Sequence, residues 1–132
     1  MTEQQKLVKK LDKIFSTYIR MSAIIKEDYL SCVTCQKIMP WKESDAGHYI
    51  GRRHKATRWE EKNVHPQCTY CNRFNEGMKD EYTIFIIKKY GNDTLFELNQ
   101  KKHTIFKLDN LWLEDKIKHY KDKVKELDGT IT

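Results

Sequence analysis

Apolar residues recur at Leu7, Leu11, Ile14, Phe15, Tyr18 and Ile19, and again at Ile25, the alternation of three and four positions that lines one face of an α-helix. The spacing predicts an amphipathic helix from Thr2 to the neighbourhood of Tyr29. Lys6, Lys9, Lys10 and Lys13 lie on its solvated side, and neither Pro nor Gly interrupts it. A second stripe, Tyr82, Phe85, Ile86 and Tyr90, predicts a helix closed by Gly91-Asn92, residues that tolerate a left-handed cap. Leu113, Ile117, Tyr120, Val124 and Leu127 form a third, heptad-like seam, short enough to pack within one chain or between two. The tail Gly129-Thr130-Ile131-Thr132 is expected to fray.

Between the first two stripes the pattern changes. Residues 30–75 contain Pro40 and Pro66 and short runs suited to a hairpin rather than to long helices. Thr94-Leu95-Phe96-Glu97-Leu98 alternates weakly, as a strand would, yet fits a helix equally. The organisation that follows is an N-terminal amphipathic helix over 1–29, a compact core over 30–91 and a C-terminal segment over 92–132 that ends in a helix. This is an α+β chain.

Its 132 residues suit one domain and contain no apolar run of the roughly 18 residues that a membrane span requires, so a soluble protein is expected. Twenty-five Lys and Arg oppose nineteen Asp and Glu, a formal net charge of +6. That excess is also what a solvated surface can carry, but its placement points toward phosphates. Arg52, Arg53, His54, Lys55 and Arg58 fall together, with Trp59 beside them and only Glu60 and Glu61 opposing. Arg and Lys hold phosphate oxygens by charge-assisted hydrogen bonds, while Trp59 either stacks on a base or, the expected case, joins the core. Arg73 and Lys79 either touch phosphates or lie on a solvated face. His54, His103 and His119 are expected at the surface.

All four cysteines fall in two CxxC pairs, Cys32/Cys35 and Cys68/Cys71. Two thiolates separated by two residues on a tight turn reach one tetrahedral Zn²⁺ at about 2.3 Å, and two such knuckles complete a closed site. With no apolar export segment before them, the thiols are expected reduced and metal-bound rather than disulfide-paired. A redox role is the rival, and it requires reactive thiols of low pKa.

The segment between the knuckles carries the chemistry. His48 is the candidate general base, because a neutral imidazole can activate water against a phosphodiester when a divalent cation holds the scissile phosphate. Asp45 and Asn72 offer the hard oxygens that Mg²⁺ or Mn²⁺ prefers, whereas the thiolates select Zn²⁺. Asn63 is spaced to orient His48 or to cap the following turn. The plainer alternatives are a structural or zinc-binding His48 and a helix-capping Asn72.

Asp45-Ala-Gly-His48, Asn63-Val-His65-Pro66-Gln67-Cys68 and Cys71-Asn72 resemble the motif of HNH endonucleases, whose ββα-metal fold carries His on the first strand, Asn in the loop and Asn on the helix. More narrowly, the order CxxC, DxGHYI, RW, NxHxQCxxCN and YG is similar to the phage NinG/Rap recombination nucleases, which act on branched DNA such as Holliday junctions and D-loops. The resemblance covers about residues 30–91. It implies a small zinc-clamped ββα-metal core between flanking helices, with His48 as general base, Asn72 as catalytic metal ligand, Asn63 as the orienting residue and the four cysteines on structural zinc. The Asp that many HNH proteins carry directly before the catalytic His is Gly47 here, which leaves Asp45 or His65 to complete the catalytic Mg²⁺ or Mn²⁺ site. Arg52, Arg53, Lys55 and Arg58 are the expected DNA contacts. The implied partner is branched DNA in a phage-infected bacterial cytoplasm, without a membrane. Paired cuts imply a homodimer, for which the terminal helices are candidates. A zinc-knuckle DNA-binding protein without catalysis is the alternative.

Overall fold

In the computed structural model, which describes residues 1–131 and their side chains as far as residue 129, the two ends of the chain pack against each other. Helix α1 (Glu3–Ser22) starts at a capping box: the Thr2 hydroxyl accepts from the Gln5 backbone N–H at 3.1 Å, and the Gln5 side chain accepts from the Thr2 N–H at 2.9 Å. Its stripe Leu7, Leu11, Phe15 and Ile19 is buried, largely against Leu113, Ile117 and Tyr120 of the last helix (Asn110–Ile131). Phe15 and Tyr120 meet edge to face with centroids 5.0 Å apart. The Leu113, Ile117 and Tyr120 positions of the heptad-like seam are therefore filled within the chain, and Val124 and Leu127 are half-buried. The helix runs on through Gly129 to Ile131 instead of fraying there, and Thr132 lies outside the described residues.

Helix α1 stops at Ser22, several residues before the end of the predicted segment. Ile25 leaves the stripe and is exposed; its N–H donates to Tyr29 O at 2.8 Å, turning the chain into strand β1 (Tyr29–Ser31). β1 pairs antiparallel with β2 (Ile38–Pro40), in the register Leu30↔Met39, and the turn between them carries the first CxxC. β3 (Asp45–His48) then pairs antiparallel with β4 (Val64–Gln67), placing Gly47 opposite His65 and His48 opposite Val64. The connection between them holds the short helix α2 (Lys55–Arg58). Directly after β4 comes α3 (Thr69–Arg73), which begins at Cys68 and contains Cys71 and Asn72.

Residues Asn75, Glu76, Gly77 and Met78 all have positive φ, a left-handed turn between α3 and α4 (Lys79–Tyr90). Gln67 Nε2 holds it by donating to Gly77 O at 2.9 Å. Gly91, with φ of +94°, separates α4 from α5 (Asn92–Lys102). The ambiguous 94–98 run is thus helical: Thr94 and Leu98 are buried one turn apart while Phe96 is 67 % exposed, whereas a strand would put all three on one face. The last helix is α6.

Three apolar clusters result. One joins α1, α6, Trp59 and Val64; a second surrounds the cysteines with Leu30 and Met39; a third gathers Ile50, Tyr82, Ile86 and Leu98. No helix among the described residues is long and apolar enough to cross a membrane. Helix α1 packs in one layer with α6 and leans on β3 and β4. Leu113 is fully buried at that joint, so Leu113→Ala should lower stability by about 2–5 kcal/mol, read as a lower urea midpoint with an unchanged denaturant slope.

Candidate functional site

The four cysteine sulfurs lie within 4.8 Å of one another. Cys35 and Cys68 Sγ are 3.8 Å apart, and the edge of a tetrahedron with metal–sulfur bonds of about 2.3 Å is about 3.8 Å, so the donor set fits Zn²⁺. Local backbone makes the fit. The Cys32 N–H donates to Lys37 O at 2.8 Å and the Gln36 N–H to Cys32 O at 2.9 Å, closing the first knuckle around a left-handed Gln36. Cys68 caps α3, its sulfur accepting from the Cys71 N–H at 3.4 Å.

The thiols do not ionise alike. Burial opposes a Cys32 thiolate, but hydrogen bonds from Thr34 and from the backbone of Cys68, Thr34 and Cys35 outweigh it and hold this thiol at about 6. Burial, together with the neighbouring sulfurs Cys68, Cys35 and Cys32, pushes Cys71 up to about 12. Four anions at this separation repel one another, and a divalent cation is the species that lets all four lose their protons.

On the other side of α3 a cleft of about 550 Å³ is lined by Asp45, Ala46 and His48 of β3, Asn72 and Arg73 of α3, and Asp12 and Ser16 of α1. Asn72 Nδ2 donates to Asp45 Oδ2 at 3.1 Å, and Arg73 Nε stands 3.4 Å from the same oxygen. Asp45 and Asn72 thereby meet at the wall of one cleft, two oxygen-bearing side chains of the kind that could hold a hard cation retaining water ligands. Asn72 lies one residue beyond Cys71, so the cysteine cluster anchors the turn that presents it.

His48 faces the same cleft. Its Nε2 is 2.9 Å from Arg58 O, and because a carbonyl only accepts, Nε2 carries the hydrogen and Nδ1 keeps its lone pair. Burial is the main cause that lowers its pKa to about 4; the Arg58 carbonyl opposes the shift and the Arg52 guanidinium adds to it. The imidazole is neutral at physiological pH.

Position 47 has no room for the Asp found in many HNH proteins. A Cβ there would lie 1.9 Å from Gln67 Oε1, so the Gln67 side chain fills the space and the nearest carboxylate comes from Asp45. His65, the other candidate to complete this site, is not brought to it. It is 5 % exposed and sits in the third core, where the Tyr90 hydroxyl donates to Nε2 at 2.8 Å and Nδ1–H donates to the Tyr82 oxygen at 3.1 Å. Tyr82 in turn donates to Gly47 O at 2.6 Å. With both nitrogens engaged, His65 has no lone pair left for a metal and supports β3 from behind. Burial and then the Lys89 charge lower its pKa to about 3.

Asn63 is fully buried and touches His48 only through the backbone it fixes. Its Oδ1 accepts from the Ile50 N–H at 2.8 Å, and its Nδ2 donates to Ile50 O and Thr57 O, each at 3.0 Å. These bonds close the loop that delivers Arg58 O to His48. The basic cluster divides. Arg53 and Lys55 are exposed, and Arg52 is exposed at the rim of the cleft, 3.9 Å from Asp12. Arg58, expected as a DNA contact, is instead paired through both guanidinium ends with Asp12, and it lies over the Trp59 ring, 5.2 Å from its centroid. Trp59 is core and donates its indole N–H to Asp12 at 2.9 Å. Asp12 was the residue that sequence spacing did not single out; its one signal is to be the lone acid among Lys9, Lys10 and Lys13.

The chain matches the family model described as Bacteriophage Lambda NinG protein over residues 1–129. It is similar to Protein ninG of Salmonella phage P22 and of Escherichia phage lambda, 28% identical to each over 105 residues, which is 74% of this chain and 48% of each relative. It is 30% identical to Protein ninG of Escherichia phage 933W over 77 residues, 56% of this chain and 38% of that one. The chain thus spans about half the length, or less, of these curated relatives. No solved structure matches.

Elemental analysis of the purified chain should find about one zinc per molecule, falling to near zero in Cys68→Ser. Stability should also fall with acid. Below their ordinary value of 6.5 the unfolded chain protonates both imidazoles, while the folded chain refuses those protons down to about 4 at His48 and about 3 at His65. The contribution is complete above 6.5 and is lost as pH falls toward those values, at up to about 2.7 kcal/mol per pH unit for the two groups. Urea titrations across pH should show His65→Gln roughly halving the imidazole-dependent part of that slope.

Proposed function

This chain belongs to the NinG family of bacteriophage proteins, and from that premise we propose that it is a metal-dependent DNA endonuclease of the HNH class, hydrolysing phosphodiester bonds in branched recombination DNA. The observation that carries the proposal is the convergence of three groups in one open cleft: the Asp45 carboxylate, the Asn72 amide 3.1 Å from it, and a neutral His48 whose Nδ1 keeps its lone pair. A strand, loop, strand and helix in that order, carrying His48, Asn63 and Asn72, support this reading, since a ββα arrangement is expected of that class.

Asp45 and Asn72 would hold Mg²⁺ or Mn²⁺, which supplies Lewis-acid stabilisation of the scissile phosphate and the leaving oxygen. His48 Nδ1 accepts the proton of the attacking water, and the Arg58 carbonyl steadies the charge that develops on the imidazole. Arg52 at the rim, with Arg53 and Lys55 on the adjoining loop, binds the phosphate backbone. Contacts of this kind position DNA without reading its sequence. The cysteine cluster on its zinc takes no part in the chemistry and holds α3 in place. Resolving a junction requires two cuts, which two copies of the chain supply.

Synthetic four-way junction, D-loop and linear duplex incubated with Mg²⁺ or Mn²⁺ test this. The intact chain should cleave the branched substrates, and His48→Ala should reduce the rate about 10²- to 10⁴-fold. Asp45→Ala and Asn72→Ala should raise the metal concentration needed for half-maximal rate. Binding of the junction by the intact chain without cleavage would leave a zinc-knuckle DNA-binding module in place of a nuclease.

A further inference from the structure

One carboxylate on α1 gathers three groups of the loop between β3 and β4. Asp12 Oδ1 accepts from Arg58 Nε at 3.1 Å and from Trp59 Nε1 at 2.9 Å, Oδ2 takes the other guanidinium end of Arg58, and Arg52 Nη1 lies 3.9 Å away. Arg58 and Trp59 are consecutive residues at the end of α2, and the peptide between them carries the carbonyl that holds His48 Nε2. A paired guanidinium and an indole N–H fixed to one carboxylate leave that peptide little freedom to rotate. The Arg58 side chain, 19 % exposed and lying over the Trp59 ring, shields the contact from water.

We propose that Asp12 is a positioning residue for His48: by clamping Arg58 and Trp59 it aims the Arg58 carbonyl at Nε2, and so keeps Nδ1 as the bare nitrogen that faces the cleft. The N-terminal helix is then part of the catalytic apparatus rather than packing alone. A carboxylate that selects a tautomer through a backbone carbonyl acts as the orienting groups of other imidazole bases do. The inference rests on His48 being the base of the proposed reaction, but its first consequence is a property of the imidazole that can be read without DNA.

Asp12→Asn keeps the shape of the side chain and removes the charge that pairs with Arg58. Long-range ¹H–¹⁵N spectra of the zinc-loaded full chain should show His48 of the wild type as the Nε2–H tautomer, and a mixture of tautomers in Asp12→Asn. Arg58→Lys, which keeps a cation but loses the paired donors, should give the same mixture, and the double variant should be no worse than either alone. On junction DNA the loss should fall on kcat, about ten- to a hundredfold, as expected for a misplaced catalytic group. KM should not rise, because removing one carboxylate takes the net charge from +6 to +7 and favours DNA. An unchanged tautomer in both folded, zinc-loaded variants overturns the proposal, as does a defect confined to KM. If the wild type cleaves nothing, the nuclease reading falls, and the tautomer measurement still decides the role of Asp12.

Discussion

Four sulfurs within 4.8 Å of one another tie the turn after β1 to the start of α3, and the arrangement of the cleft follows from that knot. Among the described residues each sheet has two strands, and an isolated pair is marginal in water. A metal held by the four thiolates would add to this small core, since its binding free energy would be folding free energy. Leu30, Met39, Trp41 and Met78 pack around Cys32, Cys68 and Cys71, while Cys35 is exposed. The ligands come from two hairpins' worth of chain, so closing the cluster also sets β4 and α3 beside β1 and β2.

From this anchor the polar cleft is assembled in layers. β3 hydrogen-bonds to β4, β4 runs directly into Cys68, and the first turn of α3 delivers Asn72 to Asp45, which pairs with Gln67 at the same end of the two strands. Behind the strand, Tyr90, His65 and Tyr82 pass hydrogen bonds to Gly47 O, and Gln67 fills the space that a side chain at Gly47 would need. In front, α1 and the α2 loop hold His48. Two histidines of one motif thus meet opposite fates. His48 spends one nitrogen on a carbonyl and keeps the other, whereas His65 spends both on tyrosines.

Much of this was legible in the residues. CxxC spacing is short-range geometry, and the strand-to-helix order from His48 through Asn63 to Asn72 is carried by the chain itself. The helical stripes of α1, α4 and α6 followed their periodicity, because burying one face of a helix is a local pattern with a global reward. Failures came where the deciding partner lay far along the chain. Arg58 and Arg52 are alike in sequence, yet Asp12, distant in the chain, claims the first and leaves the second at the rim. His65 reads as a ligand until Tyr82 and Tyr90 are seen on either side of it. The 94–98 run, ambiguous by alternation, is helical, and that form buries Thr94 and Leu98 while leaving Phe96 between them exposed.

Residue type and short-range spacing, then, were enough to show which atoms can bind zinc, which side chains offer hard oxygens or an imidazole, and which faces of the helices are apolar. Those are properties of residue type and of spacing within a few turns. Only the tertiary structure decided which carboxylate meets Asn72, which ring nitrogen of His48 stays bare and which arginines remain at the surface. Each of those depends on a hydrogen bond or ion pair between residues far apart in the chain, and such pairings exist only once packing has brought α1, β3 and α3 around one space.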